Sequence, residues 1–390
     1  MQQLAQRATT LTPSLTLAID AKAKKLKADG VDVCGFGAGE PDFDTPQHIK
    51  DAAIKALADG FTKYTPSSGI PELRAAIAEK LKADNHIDYK PSQVIVNCGA
   101  KHSCYNVVLA TCQTGDEVII PAPYWLSYPE MVKLADASPV IVQTTEASGF
   151  KITPDQFRDA MTPATKLIIL NSPGNPTGSM YSQEELLALA EVALEEGILI
   201  LSDEIYEKIT YDHTLHVSLA SFGKEIYEST ITVNGFSKAY SMTGWRLGYV
   251  AAPDHIAIAI DSIQSHSTSN PTSFAQKGAL AALKGDQLFI SEMHKAFVER
   301  RACMHDRLTK IPGVTCVKPT GAFYMFPNIS SFGLGSENFC GKLLEEQKVA
   351  AVPGMAFGSD AHIRLSYASS MDNITKGLDR LAAFCAGLTK

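Results

Sequence analysis

The stretch LIILNSPGNPTGSMYSQEELLALAEVALEEGILILSDEIY, residues 167–206, holds the features that decide the fold. It contains two short apolar runs, LIIL at 167–170 and ILILS at 198–202, each bounded by turn-forming residues. Between them, SQEELLALAEVALEEG repeats its apolar residues with the period of a helix. A strand, a helix and a second strand in this order predict a βαβ unit, in which the two strands lie parallel.

The same alternation extends in both directions along the chain. Further apolar runs typical of buried strands are QVIVN at 93–97, EVIIP at 117–121, PVIVQ at 139–143 and TITVN at 230–234. Helical patterns separate several of these runs. The first helical pattern of the chain, IKDAAIKALADG, precedes them and follows an expected N-cap at Thr45 and a proline at the first helical position. This pattern predicts an α/β fold with a mostly parallel sheet, helices on both faces, and functional groups at the carboxyl ends of the strands.

Beyond about residue 290 the pattern changes. A long helical stretch precedes GVTCVKPTGAFYMFPNI, which we expect to form a strand pair, and a helix, the strands KVAAVP and HIRLSYA, and a terminal helix follow. We therefore expect a large domain at 46–290 and a smaller α+β domain at 291–390. The N-terminal segment, residues 1–45, is expected to pack on the small domain and the substrate cleft.

Composition argues against several classes of protein. The 390 residues are 45% hydrophobic and 20% charged, which is typical of a globular chain, and they carry a net charge of −7. The absence of a basic block argues against nucleic-acid binding, and the absence of an apolar run of about 18 residues argues against a membrane span. The first 16 residues lack the apolar region of a signal peptide, so we expect a cytoplasmic protein.

Cysteine and histidine spacing gives no sign of a metal site. The eight cysteines are irregularly spaced and contain no Cys-x-x-Cys pair, so we expect free thiols. His213 and His216, beside Asp212, would supply only half of a metal site. We therefore expect no metal.

The segment SKAYSMTGWRLGYV, residues 237–250, carries the strongest chemical signal. Lys238 follows a predicted strand and turn, where a lysine can form a Schiff base with an aldehyde cofactor. The hydroxyl of Ser237 and the guanidinium of Arg246 can hold a phosphate monoester. The combination indicates a cofactor that carries both an aldehyde and a phosphate.

Polar groups also follow the two strands of the opening stretch. Asp203 ends the second strand, where its carboxylate can pair with a protonated pyridine nitrogen and keep a pyridoxal phosphate ring electron-poor. Asn175, in NSPGNPTG, and Tyr206 can hydrogen-bond the ring hydroxyl. By contrast, GFGAGEPDFD at 35–44 fails the spacing of a dinucleotide-binding loop, because Glu40 stands where the third glycine belongs.

Together these motifs resemble those of class I, fold-type I pyridoxal-phosphate-dependent aminotransferases, and most closely a bacterial branch of aspartate aminotransferases. The resemblance spans nearly the whole chain, through PSLTLAIDAKA, AGEPDFDTP, KYTPSSGIPELR, PYWLSYPEM, NSPGNPTG, SDEIYE, SKAYSMTGWRLGY, GAFYMF and HIRLSYA. It implies a large domain with a mostly parallel seven-stranded sheet, a smaller α+β domain, bound pyridoxal 5′-phosphate, and a homodimer with shared active sites.

The resemblance also implies roles for individual residues. Lys238 would hold the cofactor and move the substrate α-proton. The groups implied around the cofactor are Asp203, Asn175, Tyr206, Trp125, Gly99, Ala100, Lys101, Ser237, Arg246 and Tyr64, the last of which would reach the phosphate bound by the neighbouring subunit. The groups implied around the substrate are Arg364, which would bind the α-carboxylate, together with Gly39, Trp125 and Asn175.

The second carboxylate of aspartate needs a cation of its own. Lys101 is the best candidate, because a lysine follows the phosphate-loop glycine in this branch. A lysine at a helix start opposes the helix dipole, which is unfavourable unless an anion binds there. Ser14 and Thr16, in PSLT, would add hydroxyl donors from the N-terminal segment.

The resemblance therefore predicts reversible transfer of the amino group of L-aspartate to 2-oxoglutarate. Three alternatives stay open. A broader aminotransferase would accept prephenate or aromatic substrates, although branch members that accept prephenate often carry a lysine at the position of Thr12. A β-lyase on the same fold would release pyruvate and ammonia. A transcriptional regulator with an aminotransferase-like body would need an added DNA-binding module.

Overall fold

The computed structural model describes residues 4–11 and 15–388. Its strands are β1 (Cys34–Gly35), β2 (Val94–Asn97), β3 (Glu117–Ala122), β4 (Ser138–Gln143), β5 (Thr165–Asn171), β6 (Leu199–Asp203), β7 (Thr230–Gly235), β8 (Gly248–Ala251), β9 (Tyr324–Met325), β10 (Val349–Ala350), β11 (Val352–Pro353) and β12 (Ile363–Ser366).

The helices of the described residues connect these strands. They are α1 (Gln6–Thr9), α2 (Leu15–Ala28), α3 (Gln47–Ala58), α4 (Pro71–Asn85), α5 (Ala100–Thr111), α6 (Ser127–Leu134), α7 (Pro154–Ala160), α8 (Gln183–Glu195), α9 (Lys224–Ser229), α10 (Asp254–Ser267), α11 (Ser273–Lys284), α12 (Leu288–Leu308), α13 (Ser336–Gln347) and α14 (Met371–Leu388). None of these helices combines the length and apolarity that a membrane crossing requires.

Seven strands form the central sheet, in the order β2-β8-β7-β6-β5-β3-β4. β8 runs antiparallel to both of its neighbours, and the other pairs are parallel. The predicted α/β fold with a mostly parallel seven-stranded sheet is thus confirmed. Six of the strands lie on the predicted apolar runs. β8 begins near the end of the SKAYSMTGWRLGYV segment and was not predicted, because its first and last residues, Gly248 and Ala251, are of types depleted in strands.

Both faces of the sheet are covered by helices. On β5, Ile169 packs on one face into a cluster with Val107 of α5, whereas its neighbour Ile168 packs on the other face with Leu189 of α8. A strand that is buried on both faces reads as a continuous apolar run, which explains why LIIL lacks polar alternation. Because β5, β6 and β7 are parallel, the loops that follow them lie at the same edge of the sheet. These loops carry predicted site residues.

The C-terminal part builds two small sheets. β9, β12 and β11 form an antiparallel sheet, and β1 pairs in parallel with β10. The apolar faces of α12, α13 and α14 pack around them in one cluster, with Phe297, Phe339 and Phe384 among its buried members. The N-terminal strand is therefore joined to the C-terminal part, while the predicted domain boundaries at residues 45 and 290 stay a prediction.

Two local predictions were wrong. Thr45 does not cap a helix: α3 begins at Gln47 without a side-chain cap, and the Thr45 hydroxyl donates to the Ser241 carbonyl at 2.6 Å. The segment GVTCVKPTGAFYMFPNI contains only the strand β9, and its two ends meet in one isolated bridge, between Thr315 and Asn328, rather than in a strand pair; two other bridges join it to Thr210 and His362. β9 pairs instead with β12, about 40 residues further along the chain.

Candidate active site

Lys238 lies in the loop after β7 and is the predicted attachment point. Its amine donates to the carbonyl of Gly39 and lies over the rings of Tyr206 and Phe323, 5.6 and 5.7 Å from their centroids. Burial lowers its pKa to about 8. Burial is the largest cause of this lowered pKa; the carboxylates of Glu40 and Asp203 oppose it, and the guanidinium groups of Arg364 and Arg246 contribute to it. A buried lysine with a lowered pKa is suited to nucleophilic and proton-transfer chemistry.

Asp203 lies at the carboxyl end of β6 and is 3% exposed. Its Oδ2 accepts hydrogen bonds from the Tyr128 hydroxyl at 2.7 Å and the Cys104 thiol at 3.7 Å, and its Oδ1 accepts from the Ile205 N–H at 3.2 Å. Burial raises the pKa of Asp203, while these donors lower it. Within the described part of the chain, no lysine, arginine or histidine forms an ion pair with this carboxylate, so it is suited to a cationic ligand group.

Arg364, on β12, is a buried cation at 3% exposure. Its guanidinium donates to Asn175 Oδ1 at 3.1 Å and to the Gly37 carbonyl at 2.8 Å, and its carbon lies 4.6 Å from the centroid of the Tyr324 ring. Its Nε is buried without a hydrogen-bond partner. No carboxylate of the described residues pairs with it, which leaves the guanidinium able to bind an anionic ligand.

The carboxamide of Asn175 and the hydroxyl of Tyr206 both lie near this arginine. The Asn175 backbone N–H donates to Asn171 Oδ1 at 2.9 Å, which fixes the loop after β5. Tyr206 Oη lies 2.8 Å from Tyr324 Oη. A Cβ built at Gly39 would lie 3.2 Å from the same Tyr324 hydroxyl, so a side chain at Gly39 would crowd this corner.

Three of the residues predicted to bind the phosphate, Gly99, Ala100 and Arg246, meet at the N-terminus of α5. Gly99 has a φ of +92°, and a Cβ there would lie 2.4 Å from Arg246 Nη2, so only glycine lets the guanidinium approach. Arg246 donates to the carbonyls of Thr243 at 2.7 Å and Cys98 at 3.3 Å. The N–H groups of Ala100 and Lys101 have no backbone acceptor among the described residues, whereas those of His102 and Ser103 donate to the Gly99 carbonyl, so this end of the helix is suitable for an anion. The buried Ser237 directly precedes Lys238.

Lys101, in the first turn of α5, forms a cation–π pair with Trp125. The Lys101 amine lies 4.9 Å from the centroid of the Trp125 ring, and Trp125 makes an edge contact with Tyr128, at 5.2 Å between ring centroids. Burial and the nearby Arg246 lower the pKa of Lys101. None of the carboxylates that the structure describes pairs with Lys101, so this cation too can take a ligand.

Three predicted site residues are not brought into this group. Tyr64 is 88% exposed on a surface loop. Ser14 lies outside the described residues, as does Thr12, and the side chain of Thr16 is likewise outside them. Their predicted roles stay predictions.

His216 belongs to a separate polar cluster. Ligand atoms of His216, Glu204 and Glu207 lie within 4.8 Å of one another. Glu204 accepts from Ser202 and Ser218, and Glu207 from Lys80 and Asn85. Asp212 instead binds Arg301 through both carboxylate oxygens. The expectation of no metal stays a prediction.

Sequence reasoning missed three residues of the site. Tyr128, Cys104 and Tyr324 all contact predicted site residues through their side chains. Tyr128 and Tyr324 lie inside motifs quoted for the resemblance, PYWLSYPEM and GAFYMF, so a signal for them was present.

The family described as aminotransferase class I and II matches residues 31–381 of the chain. The chain is 54% identical over 387 residues to an aspartate aminotransferase of Bacillus subtilis (strain 168), and the match covers 98% of each protein. It is 51% identical over 383 residues to a probable aspartate/prephenate aminotransferase of Aquifex aeolicus (strain VF5), with 97% of each covered. Its structure matches that of Thermus thermophilus aspartate aminotransferase with maleate at a TM-score of 0.95 and 43% identity, covering 98% of this chain and 100% of that one.

Proposed function

Since the chain belongs to the class I and II aminotransferase family, we propose that it transfers the amino group of L-aspartate to 2-oxoglutarate, giving oxaloacetate and L-glutamate. The observation that carries the substrate class is that Arg364 and Lys101 are cations without a carboxylate partner among the described residues. Two such cations suit a dicarboxylic substrate, which presents one carboxylate to each. Three relatives at 50–54% identity are named aspartate aminotransferase, which supports the same substrate.

We propose pyridoxal 5′-phosphate as the cofactor, and the residues present fit it. The Lys238 amine would bond to its aldehyde carbon. The Asp203 carboxylate, which has no cationic partner among the described residues, would pair with its protonated ring nitrogen. Tyr206 and Asn175 would hydrogen-bond its ring hydroxyl. Its phosphate would lie against Gly99, Ala100, Ser237 and Arg246, and the indole of Trp125 against its ring. When bound, this group supplies an aldehyde carbon for covalent attachment and an electron-poor ring that draws charge from the substrate Cα.

The chain's own residues orient the substrate and move its proton. Arg364 binds the α-carboxylate and fixes the direction of the Cα–H bond relative to Lys238. With a pKa of about 8, the Lys238 Nζ is partly neutral near pH 7 and can accept the α-proton, hold it and return it. The Gly39 carbonyl, which accepts from Nζ, orients the amine.

The lowered pKa of Lys238 predicts how cofactor capture depends on pH. The neutral amine is the nucleophile, and a pKa lowered to about 8 makes it about one tenth neutral at pH 7 and about nine tenths neutral at pH 9. The rate constant with which cofactor-free protein captures pyridoxal phosphate should therefore rise about tenfold between these values and then level off. Stopped-flow absorbance measures it, and a rate that continues to rise steeply to pH 10 would indicate an ordinary lysine.

Removing the two substrate cations should give different patterns of loss. Arg364→Ala should damage turnover of aspartate, alanine and phenylalanine alike, because each carries an α-carboxylate. Lys101→Ala should damage aspartate and 2-oxoglutarate selectively, by about one to two decades in kcat/KM, since a charge-assisted contact is worth about 1.5–3 kcal/mol.

The measurement is kcat/KM for each donor in both variants at saturating cofactor, with alanine as the monocarboxylic control. Equal losses for aspartate and alanine in the Lys101 variant would assign Lys101 to the phosphate side of the site. The distal cation would then lie elsewhere. Prephenate should be added as an acceptor, because the Aquifex relative is named for it.

We further propose a homodimer in which Tyr64 serves the partner's site. Its 88% exposure leaves the side chain available to a second subunit. Mixing the inactive Lys238→Ala protein with a Tyr64→Ala protein should restore activity, because one site of each hybrid then combines an intact Lys238 with an intact Tyr64. Light scattering gives the oligomeric state. An active monomer, or mixtures no more active than the Tyr64 variant alone, would contradict shared sites. The cytoplasmic location stays a prediction.

A further inference from the structure

The side chain of Tyr324 contacts both Arg364 and Tyr206, which belong to different sequence motifs. It lies on β9, directly beside β12, with Tyr324 opposite Ser366 in the antiparallel register. Its ring is fully buried, at 0% exposure, and carries the Arg364 guanidinium on its face, 4.6 Å from the ring centroid. Its hydroxyl lies 2.8 Å from that of Tyr206. One side chain thus contacts both the substrate arginine and the tyrosine beside the cofactor ring.

The two hydroxyls share one hydrogen bond, so one of them must donate. Within the described residues, neither Tyr324 Oη nor Tyr206 Oη has another hydrogen-bond partner. An anionic oxygen on the cofactor ring would be the strongest acceptor available to Tyr206. If Tyr206 donates to that oxygen, its single proton is committed, and Tyr324 must be the donor to Tyr206.

We propose that Tyr324 is a positioning residue that acts through Tyr206, by donating to its oxygen and so directing the Tyr206 proton to the ring oxygen of the cofactor. This rests on the proposed function above. A hydroxyl that accepts one hydrogen bond becomes a better donor in the next, because linked hydrogen bonds polarise one another. Tyr324 therefore helps Tyr206 to disperse the negative charge of the ring oxygen.

The proposed hydrogen bond would change the pH at which the cofactor-bound nitrogen of Lys238 loses its proton. In the bound cofactor the ring oxygen would be a neighbour of the nitrogen that Lys238 contributes, and its negative charge would hold a proton there. Weakening the donor to that oxygen should strengthen this hold and raise the pH at which the visible absorption band of the holoenzyme titrates. The charged groups that face the tyrosine pair are Arg364, Glu40, Asp203 and Lys238, and none of them is hydrogen-bonded to either hydroxyl.

The test is an absorbance pH titration of pyridoxal-phosphate-loaded Tyr324→Phe. The midpoint should rise by roughly 0.2–0.6 pH units, because cooperative strengthening is about 10–30% of a charge-assisted bond. Tyr206→Phe, which removes the donor itself, should raise it by roughly 1–2 pH units. In the double variant the midpoint should match that of Tyr206→Phe alone, because Tyr324 acts only through Tyr206.

A matched control is Tyr211→Phe. Tyr211 is also buried, and its hydroxyl donates to the Ala322 carbonyl at 2.6 Å, away from the proposed pair. This variant should leave the midpoint unchanged. The KM for aspartate should stay within about twofold in Tyr324→Phe, because the ring under Arg364 is kept.

Three results would overturn the inference. One is a midpoint that falls or stays constant in Tyr324→Phe, which would mean that Tyr206 donates to Tyr324. Another is an additive shift in the double variant. A raised KM with an unshifted midpoint would place the hydroxyl's effect on Arg364.

If the unaltered protein acquired no visible band with pyridoxal phosphate, the proposed function itself would fail; a normal band with an unshifted midpoint would overturn the role of Tyr324 alone.

Discussion

Replacing Lys238 with alanine is expected to lower kcat/KM for aspartate by at least about 10⁴-fold, because one side chain supplies both the covalent attachment and the proton carrier. Cofactor binding should persist without the covalent bond, since Asp203 and Arg246 remain. After borohydride reduction and denaturation, the unaltered protein should retain the cofactor on the peptide that contains Lys238. The variant should release it.

Lys277→Ala is the matched control for this experiment. Lys277 is a surface lysine whose amine lies 3.4 Å from Glu72, outside the candidate site. Its loss should leave both kcat/KM and the reduced adduct unchanged. Recovery of the reduced cofactor on a lysine other than Lys238 in the unaltered protein would refute the assignment.

The second large effect is expected from Asp203→Asn. An amide keeps the shape but not the charge, so a protonated ring nitrogen would lose its buried counter-ion. Breaking a buried ion pair from one side costs about 3–5 kcal/mol, which corresponds to roughly 10²–10⁴-fold. That loss should divide between weaker cofactor binding, measured by equilibrium titration of the cofactor, and a lower kcat.

Two further variants separate charge from geometry at this position. Asp203→Glu keeps the charge in a displaced position and should recover part of the rate. Tyr128→Phe removes one donor to the carboxylate but leaves its charge, so its loss should stay within about tenfold. An Asp203→Asn protein with nearly unaltered cofactor affinity and turnover would show that the ring nitrogen is not paired with this residue.

The central sheet was predictable because its signals are local. β5, α8 and β6 each lie on a continuous pattern of apolar residues, and the parallel arrangement follows from their order. The failures were non-local. Thr45 looks like a cap, yet its hydroxyl bonds to Ser241, 196 residues away in sequence. The partner of β9 is a strand about 40 residues distant, and no local pattern indicates which edge will pair.

The candidate site shows the same division. Lys238, Asp203 and Asn175 were singled out because polar residues at the carboxyl ends of parallel strands meet at one edge. The contact between Asn175 and Arg364 joins residues 189 positions apart; the motif resemblance placed both around the substrate but predicted no contact between them. Cys104 carried no signal at all. It reaches Asp203 because it lies one turn into α5, on the face that packs against β6.

The most direct test of the proposed amino transfer follows the nitrogen atom. The pyridoxal-phosphate-loaded protein is incubated with ¹⁵N-labelled L-aspartate and 2-oxoglutarate, and the products are identified by mass spectrometry. We expect ¹⁵N-labelled glutamate and unlabelled oxaloacetate in a one-to-one ratio. Without 2-oxoglutarate we expect no sustained turnover. Absence of label transfer from aspartate to glutamate, together with release of pyruvate and ammonia from an amino acid that carries a thiol leaving group at Cβ and without any 2-oxo acid, would instead identify a β-lyase and contradict the proposed amino transfer.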